Sequence, residues 1–441
     1  MNASTAEILT IGDELLRGEI VDSNKAFLSE RLLSLDIECH YQTSVRDDPA
    51  DMIDAFRLAV TRSGVVLVSG GLGPTRDDLT AQVLADTFGR SLQLDEASLE
   101  TIRSFFASVG REMSENNAKQ AYFPDGADVL PNPIGTAPGF AIEEQGALIF
   151  CLPGVPRELC LMMDEQVLPR LASRSRRGRG VDHVVRVTLL RTFGVGESSL
   201  DADLKDIAAG GDVSLGFRTS FPDNFLRPSA RGATVEEAEA KLSELVAAIR
   251  DRLGAIIYSE DDESMESVAG GLLRDQGKTI SVAESCTGGL IAQKITDVAG
   301  SSEYFMGGIV AYSDAAKSGI LGVEEALLSE HGAVSEPVVR AMAEGVRARF
   351  GTDFGVATTG ISGPGGGSPE KPVGLVFVAL ASGDDATHVD SFVFPLDRAR
   401  HRALTAQLAL DWVRRRLAGL ELVGPTLMRR SGGSSTPGGA A

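Results

Sequence analysis

The chain has 441 residues, enough for about three domains of ordinary size. Its 62 Asp and Glu outweigh 42 Lys and Arg, and a formal net charge of −20 excludes a broad nucleic-acid-binding surface, which needs clustered positive charge. Small anions remain possible ligands, because Gly-rich loops and a few cations can bind them locally. No apolar run reaches the ~18 residues of a membrane span, and the N-terminus does not read as a signal peptide. The cysteines at 39, 151, 160 and 286 form no CxxC pair, so a reducing cytoplasm is expected.

Residues 7–12 read as a strand running into Asp13-Glu14, after which Asp22 or Ser23 caps a helix carrying Phe27, Leu28, Leu32 and Leu33. Asp48-Pro49 opens a second helix, ended by Gly64. Val65 to Ser69 is a continuous apolar strand of the kind buried in a parallel sheet. This alternation predicts a doubly wound α/β domain with ligands at the carboxyl ends of its strands.

The loop after that strand carries Gly70, Gly71 and Gly73, then Thr75, Asp77 and Asp78. Glycines let the backbone approach a ligand, and the following helix start offers N–H groups to phosphate. Beside an anion, Asp77 and Asp78 make sense as cation ligands or a base; otherwise one of them caps the helix over a tight turn. Asp13 and Glu14 end another strand and could meet the same crevice. Residues 95–119 read as helical, 124–140 as a loop, 147–152 as a buried strand, and 156–171 as a helix. Ser173 to Gly180 (SRSRRGRG) reads as a linker.

Residues 181–258 alternate strand and helix in a small α+β domain without a catalytic constellation; a structural or dimerising role is expected, and a homodimer with it. The third domain, 259–418, begins with a helix at 264–276 and a short strand at 279–283. Ser285 falls where that strand stops and Thr287-Gly288-Gly289 opens a helix closed by Gly300. A serine in such a turn lies beside backbone N–H groups able to hold an oxyanion, although most serines in this position only cap a helix. A strand at 308–312 follows, then Lys317; a desolvated lysine or Tyr312 can serve a serine as base. A second Gly-rich loop contains Thr359, Gly360, Gly363, Gly365 and Gly366, with N–H groups placed for an anion. Arg398 and Arg402 share one face of the next helix and are either surface charges or phosphate ligands. The tail, 419–441, is rich in Gly, Ser and Pro towards its end and reads as disordered.

Taken together, GDELLRGEIVDSN at 12–24, SGGLGPTRDDLT at 69–80 and LPGVPRE at 152–158 resemble the MoaB/Mog-type molybdopterin-binding domain. AESCTGG, GGIVAYSDAAK, GAVSEP, TTGISGPGGG and KPVG in 259–418 resemble the nicotinamide-mononucleotide deamidase domain, so that residues 5–418 resemble the CinA (competence/damage-inducible) family. The chain departs at Ser362 and Val155, where Ala and Pro are expected and where no chemistry is assigned.

The resemblance implies a three-layer α/β amidase domain after a MoaB/Mog-like domain, 1–172, and the small α+β domain. It implies Ser285 as nucleophile on the amide of nicotinamide mononucleotide (NMN), Lys317 as base with Tyr312 alongside, and no metal. Thr287, Gly288, Gly289, the 359–366 loop and the two arginines become substrate contacts. For the N-terminal domain it implies hydrolysis of ADP-ribose with a divalent cation, Mg2+ or similar. Gly70, Gly71, Gly73 and Thr75 then line the site, and Asp78 and Asp13 are the candidate metal ligands. No membrane or direct nucleic-acid partner is expected. The alternatives are a deamidase whose N-terminal domain binds a nucleotide or pterin without turnover, and a non-enzymatic adaptor in competence or DNA damage.

Overall fold

A computed structural model describes residues 5–426, apart from 34, 36, 179–183, 208–209 and 384–385. The chain divides into two compact units, Met1–Arg186 with Arg231–Glu239, and Val187–Ala230 with Ala240–Ala441. No helix among the described residues is long and apolar enough to cross a membrane.

In the first unit lie β1 (Thr5–Ile11), β2 (Glu38–Val45), β3 (Val65–Ser69), β4 (Leu92–Leu94), β5 (Tyr122–Pro124), β6 (Asp128–Leu130), β7 (Gly139–Glu144) and β8 (Ala147–Leu152); β9 (Val184–Val187) follows where the units meet in the chain and pairs with β12 (Asp223–Gly232). Six of them make a sheet in the order β2-β1-β3-β8-β7-β6, with β4 and β5 forming a separate ribbon. The pairs β1–β2, β1–β3 and β3–β8 are parallel, whereas β7 joins β8 antiparallel. Alternate residues of β1 bury into opposite layers: Leu9 packs with Met52, Phe56 and Val60, and Ile8 with Leu28, Leu32 and Phe150. Two-sided burial explains why these strands read as unbroken apolar runs. The chain leaves β1 on one side for β2 and returns on the other for β3, so a crevice opens at their carboxyl ends.

Three expectations are corrected here. The helix foreseen over 95–119 ends at Ser108, because Gly110 takes the left-handed conformation (φ 69°) and the Arg111 amide caps back to Phe106 O at 2.9 Å; a 3-10 turn, Glu115–Ala121, follows. The supposed loop 124–140 contains β6, held by pairing with β7, a partner distant from local propensity. The supposed linker continues a helix, Leu168–Gly178, as far as Gly178.

In the second unit, β10 (Leu190–Phe193), β11 (Val213–Ser220), β12 (Asp223–Gly232) and β13 (Ile257–Ser259) pair in the order β11-β12-β10-β13. Leu190, Leu226, Leu245, Ile249 and Leu253 share one core beneath them, the last three from the helix Val235–Leu253. Residues 184–193 hold two strands, β9 and β10, rather than one.

The last sheet runs β15 (Phe305–Val310), β14 (Ile280–Glu284), β16 (Phe354–Gly360), β17 (Leu375–Ser382), β18 (His388–Val393). Its first three strands are parallel and its last two antiparallel. The helix Glu336–Phe350 buries Val338, Val339, Met342 and Val346 against one face. Helices Met265–Asp275 and Arg398–Leu417 cover the other, centred on Trp412, which is fully buried. This is the three-layer α/β arrangement. Residues 419–426, assigned to a disordered tail, are instead anchored: Trp412 Nε1 donates to Val423 O at 3.0 Å, and the Thr426 hydroxyl donates to Gly194 O at 3.0 Å. An indole buried in a sheet-helix layer needs an acceptor, and the tail backbone supplies it. The remainder of the Gly/Ser/Pro segment, 427–441, lies outside the described residues.

Candidate active site

Strand β14 lies between β15 and β16, and Glu284 pairs with Val310 on one side and Thr358 on the other. The carboxyl ends of three adjacent parallel strands therefore deliver Ser285, the segment leading to Lys317, and the second Gly-rich loop to one edge. Ser285 is almost buried, and its amide donates to Thr358 O at 3.0 Å. Gly288 and Gly289 both have positive φ, 60° and 95°, which turns the chain from strand into the helix Leu290–Thr296 within a few residues.

The free amides expected at that helix start are largely taken. Glu284, itself buried, accepts from the amides of Gly289 (2.9 Å), Ile291 (3.1 Å) and Ala292 (2.8 Å). A carboxylate at a helix N-terminus is favoured by the orphan donors and the dipole. Gly288 and Leu290 donate to Ser285 O and Thr287 O. The turn's remaining amides, of Cys286 and Thr287, have no backbone acceptor among the described residues. Glu284 stood beside the serine in the sequence, but its reach to amides five to eight positions ahead depends on the strand-to-helix reversal.

Lys317 sits in the helix Asp314–Leu321, which Ser313 caps, an element not foreseen from its short pattern. Only 1 % of Lys317 is exposed, and its Nζ donates to the Tyr312 carbonyl at 3.3 Å. Burial lowers its pKa, opposed chiefly by Asp314, 3.6 Å away. Cys286, next to Ser285, lies within electrostatic reach of Lys317. No direct hydrogen bond joins Lys317 to Ser285 among the described residues. The rival Cys286 is buried and its thiol is pushed up to about 12 by desolvation, so it stays protonated and weakly nucleophilic.

Tyr312 presents its carbonyl, not its phenol, to Lys317. The ring is 60 % exposed and its hydroxyl accepts from Arg398 at 3.0 Å. Arg398 also donates to Gly363 O at 3.1 Å, bridging the Tyr312 edge to the Gly-rich loop. Arg402 donates twice to Thr287 O, at 3.1 and 2.7 Å, and so holds the serine turn. Two expected substrate contacts turn inward: Thr287 Oγ1 meets Thr358 Oγ1 at 2.8 Å, and Thr359 Oγ1 donates to Ala333 O at 2.9 Å. Gly360 packs on β17, where a side chain would meet Leu375 O at 2.6 Å, whereas a Cβ at Gly365 would meet nothing within 4 Å. Gly363 and Gly366 adopt φ of 73° and 89°, conformations that favour glycine.

One feature of this loop had no sequence signal beyond its helix position. His401, between the two arginines and fully buried, accepts at Nδ1 from Ser362 Oγ (3.0 Å) and donates from Nε2 to Gly374 O (3.1 Å). The carbonyl can only accept, which sets the tautomer, and burial keeps the imidazole neutral. Ser362, a departure from the family pattern, thus ties the loop to the helix that carries both arginines.

In the first unit the Gly-rich loop closes the crevice between β1 and β3. Gly70 (φ 108°) sits so close to Ile11 O that an added Cβ would lie 2.3 Å away. Asp78 folds back on its own loop, accepting from Thr75 N at 2.7 Å and Thr75 Oγ1 at 2.6 Å, and does not cap the helix Thr80–Phe88. Asp13 pairs with Arg17 and gives its amide to Asp47 at 2.9 Å. The Asp47 carboxyl is pushed up, first by burial and then by Glu14, Asp13 and Asp77. Lys119 lies instead beside Asp78 and Asp77, and its Nζ donates to Thr75 O at 2.6 Å. Asp77, not paired with Asp78 in the expected ligand set, is the carboxylate common to both neighbourhoods. No cluster of three metal-ligating side chains forms among the described residues. Asp78, with Oδ2 turned onto Thr75, fits the mode in which one carboxylate and substrate phosphates share a hydrated ion.

Comparison with known families matches residues 262–417 to the CinA C-terminal domain, 7–173 to the "Probable molybdopterin binding domain", and 188–259 to the damage-inducible protein CinA KH domain. A CinA-like protein of Geotalea uraniireducens is 42% identical over 419 residues, covering 93% of this chain and 97% of that one. A CinA-like protein of Gloeobacter violaceus is 42% identical over 425 residues, covering 96% and 99%. The crystal structure of the protein CinA from Thermoplasma acidophilum is 34% identical over 38% of this chain and 99% of its own, with a TM-score of 0.36.

Proposed function

The chain belongs to the CinA family, and from that premise we propose that its C-terminal domain deamidates nicotinamide mononucleotide. The observation that carries the reading is a lysine buried at a sheet edge with, among the described residues, only a carbonyl and one exposed carboxylate to hold its charge, at the same strand ends as a nearly buried serine in a strand-to-helix turn. Burial favours the neutral amine, which is the form a general base requires. Ser285 Oγ attacks the carboxamide carbon while its proton passes to Lys317 Nζ. The amides of Cys286 and Thr287 hold the oxyanion of the tetrahedral adduct. Its collapse breaks the C–N bond, and Lys317 returns the proton to the departing ammonia. Water, activated by the same amine, then hydrolyses the acyl-serine to the free carboxylate. In this reading Arg398 and the backbone at Gly365 take the substrate's phosphate.

For the N-terminal domain the proposal is hydrolysis of ADP-ribose to AMP and ribose 5-phosphate, with the phosphates against the Gly70–Gly73 backbone. A divalent ion bound through those phosphates and Asp78 would neutralise their charge. The KH-type segment, with 11 acidic and 8 basic residues over 188–259, fits a connecting role better than nucleic-acid binding. Purified protein should release ammonia from nicotinamide mononucleotide without added metal, and Ser285→Ala should remove that activity with the fold retained. Full activity in the variant rejects the serine assignment.

A further inference from the structure

The second Gly-rich loop, from Ile361 to Gly374, is closed at its base by two backbone bonds, Ile361 N to Leu375 O at 2.8 Å and Gly374 N to Ile361 O at 2.7 Å. Residues 364–370 are exposed, whereas Ser362 and Gly363 at the base are buried. The amides of Gly365, Gly366 and Gly367 have no backbone acceptor among the described residues, and a loop of this kind can turn several N–H groups on one anion. Both buried residues are held by one helix, Arg398–Leu417: Ser362 Oγ donates to His401 Nδ1 at 3.0 Å, and Gly363 O accepts from Arg398 at 3.1 Å. His401 Nε2 reaches the other arm of the loop, donating to Gly374 O at 3.1 Å. A single imidazole thus joins the two arms. Its ring is fully buried and packs against Phe394, with 6.1 Å between ring centres, so packing fixes its orientation.

Amides that must be ordered when a ligand arrives cost affinity, and amides already ordered do not. Ser362 stands where the family pattern has Ala, so its bond to His401 is an addition of this chain and not a requirement of the fold. We propose that Ser362 and His401 are positioning residues that set selectivity for a phosphorylated nucleoside over the bare nucleoside, by holding the loop amides and Arg398 in one fixed arrangement. Both lie buried at the base of the loop, so they act through it and not by contact with substrate. Removing the Ser362 hydroxyl leaves His401 Nδ1 without its donor and releases one arm of the loop. Ser285 and Lys317 keep their own contacts, which involve neither residue. The inference rests on the amidase reading and adds the residues that tie this site to the phosphate.

The test is calorimetric binding of nicotinamide mononucleotide, and of nicotinamide riboside, which lacks the phosphate, to the full chain carrying Ser285→Ala, so that neither ligand is turned over. The mononucleotide should bind about tenfold or more tighter than the riboside. Adding Ser362→Ala should weaken the mononucleotide about three- to tenfold, the worth of one neutral hydrogen bond, and leave the riboside within about twofold. His401→Phe, which keeps a buried ring, should act in the same direction, and the two changes together should be no worse than His401→Phe alone. With Ser285 intact, Ser362→Ala should raise KM for the mononucleotide by the same factor and leave kcat within about twofold. Equal binding of the two ligands, a loss shared by both, a fall in kcat in place of the rise in KM, or additive losses overturn the proposal. Ammonia release by the wild type separates the two readings. Ser362-dependent phosphate selectivity without ammonia release rejects the amidase alone, and ammonia release with a KM indifferent to Ser362 rejects this proposal alone.

Discussion

Asp314→Asn probes the base without touching it. Lys317 must be neutral to accept the serine proton, so kcat/KM rises as pH climbs through its pKa. Burial lowers that pKa, and the Asp314 carboxylate, 3.6 Å from Nζ, is the main influence in the other direction. The two side chains differ in exposure, 2% for Lys317 and 65% for Asp314, so water screens the pair from one side. Its worth is therefore about 0.2–1 kcal/mol rather than the several kcal/mol of an unscreened contact. At about 1.36 kcal/mol per pH unit, removing the carboxylate charge lowers the lysine pKa by about 0.1–0.7 unit. The acid limb of the profile for ammonia release should move down by that amount, with the plateau unchanged. Added salt should shrink the wild-type acid limb's difference from the variant, because screening already weakens the pair. An acid limb that stays in place, or moves to higher pH, refutes Lys317 as the titrating base.

Lys317→Ala should lower kcat by about 10²–10⁴-fold, and the double variant with Ser285→Ala should be no worse than the worse single one, since nucleophile and base act as a unit; additive losses would show independent roles. Glu284→Gln sets an amide N–H against one of three helix amides and should cost about 2–4 kcal/mol in urea denaturation, with activity falling as the serine turn loosens; unchanged stability would show that the carboxylate is dispensable. Asp223, largely buried beneath Tyr258 and Gln407, is pushed up to about 6 by burial. The folded chain keeps a proton there that the unfolded chain releases at lower pH, so stability is lost as pH rises through about 6. Asp223→Asn should abolish that loss and stabilise the protein at neutral pH by up to roughly 3 kcal/mol; an unaltered pH dependence of unfolding contradicts it. ADP-ribose cleavage should need added divalent metal and vanish in Asp78→Ala, and activity that survives EDTA rejects the metal's part.

Local pattern alone determined much of this protein. Continuous apolar runs such as Val65–Ser69 announced strands buried on both faces, and caps such as Asp48 before Pro49, which accepts from Ala50 and Asp51 amides, announced helix starts. Ser285, Lys317 and the two Gly-rich loops were legible as residue types at telling positions, because turn glycines and strand ends are short-range properties. What the tertiary structure decided were the partners. The order of parallel strands, set by long-range pairing, brought residues 285, 312–317 and 360–366 to one edge. It gave the helix amides to Glu284, turned Thr287 and Thr359 into the core, and made Arg402 a support of the serine turn. It also turned Asp78 onto Thr75 and paired Asp13 with Arg17. Burial and hydrogen-bond completion depend on neighbours far away in the chain, so only the packed molecule fixes which polar groups are satisfied and which are left to bind.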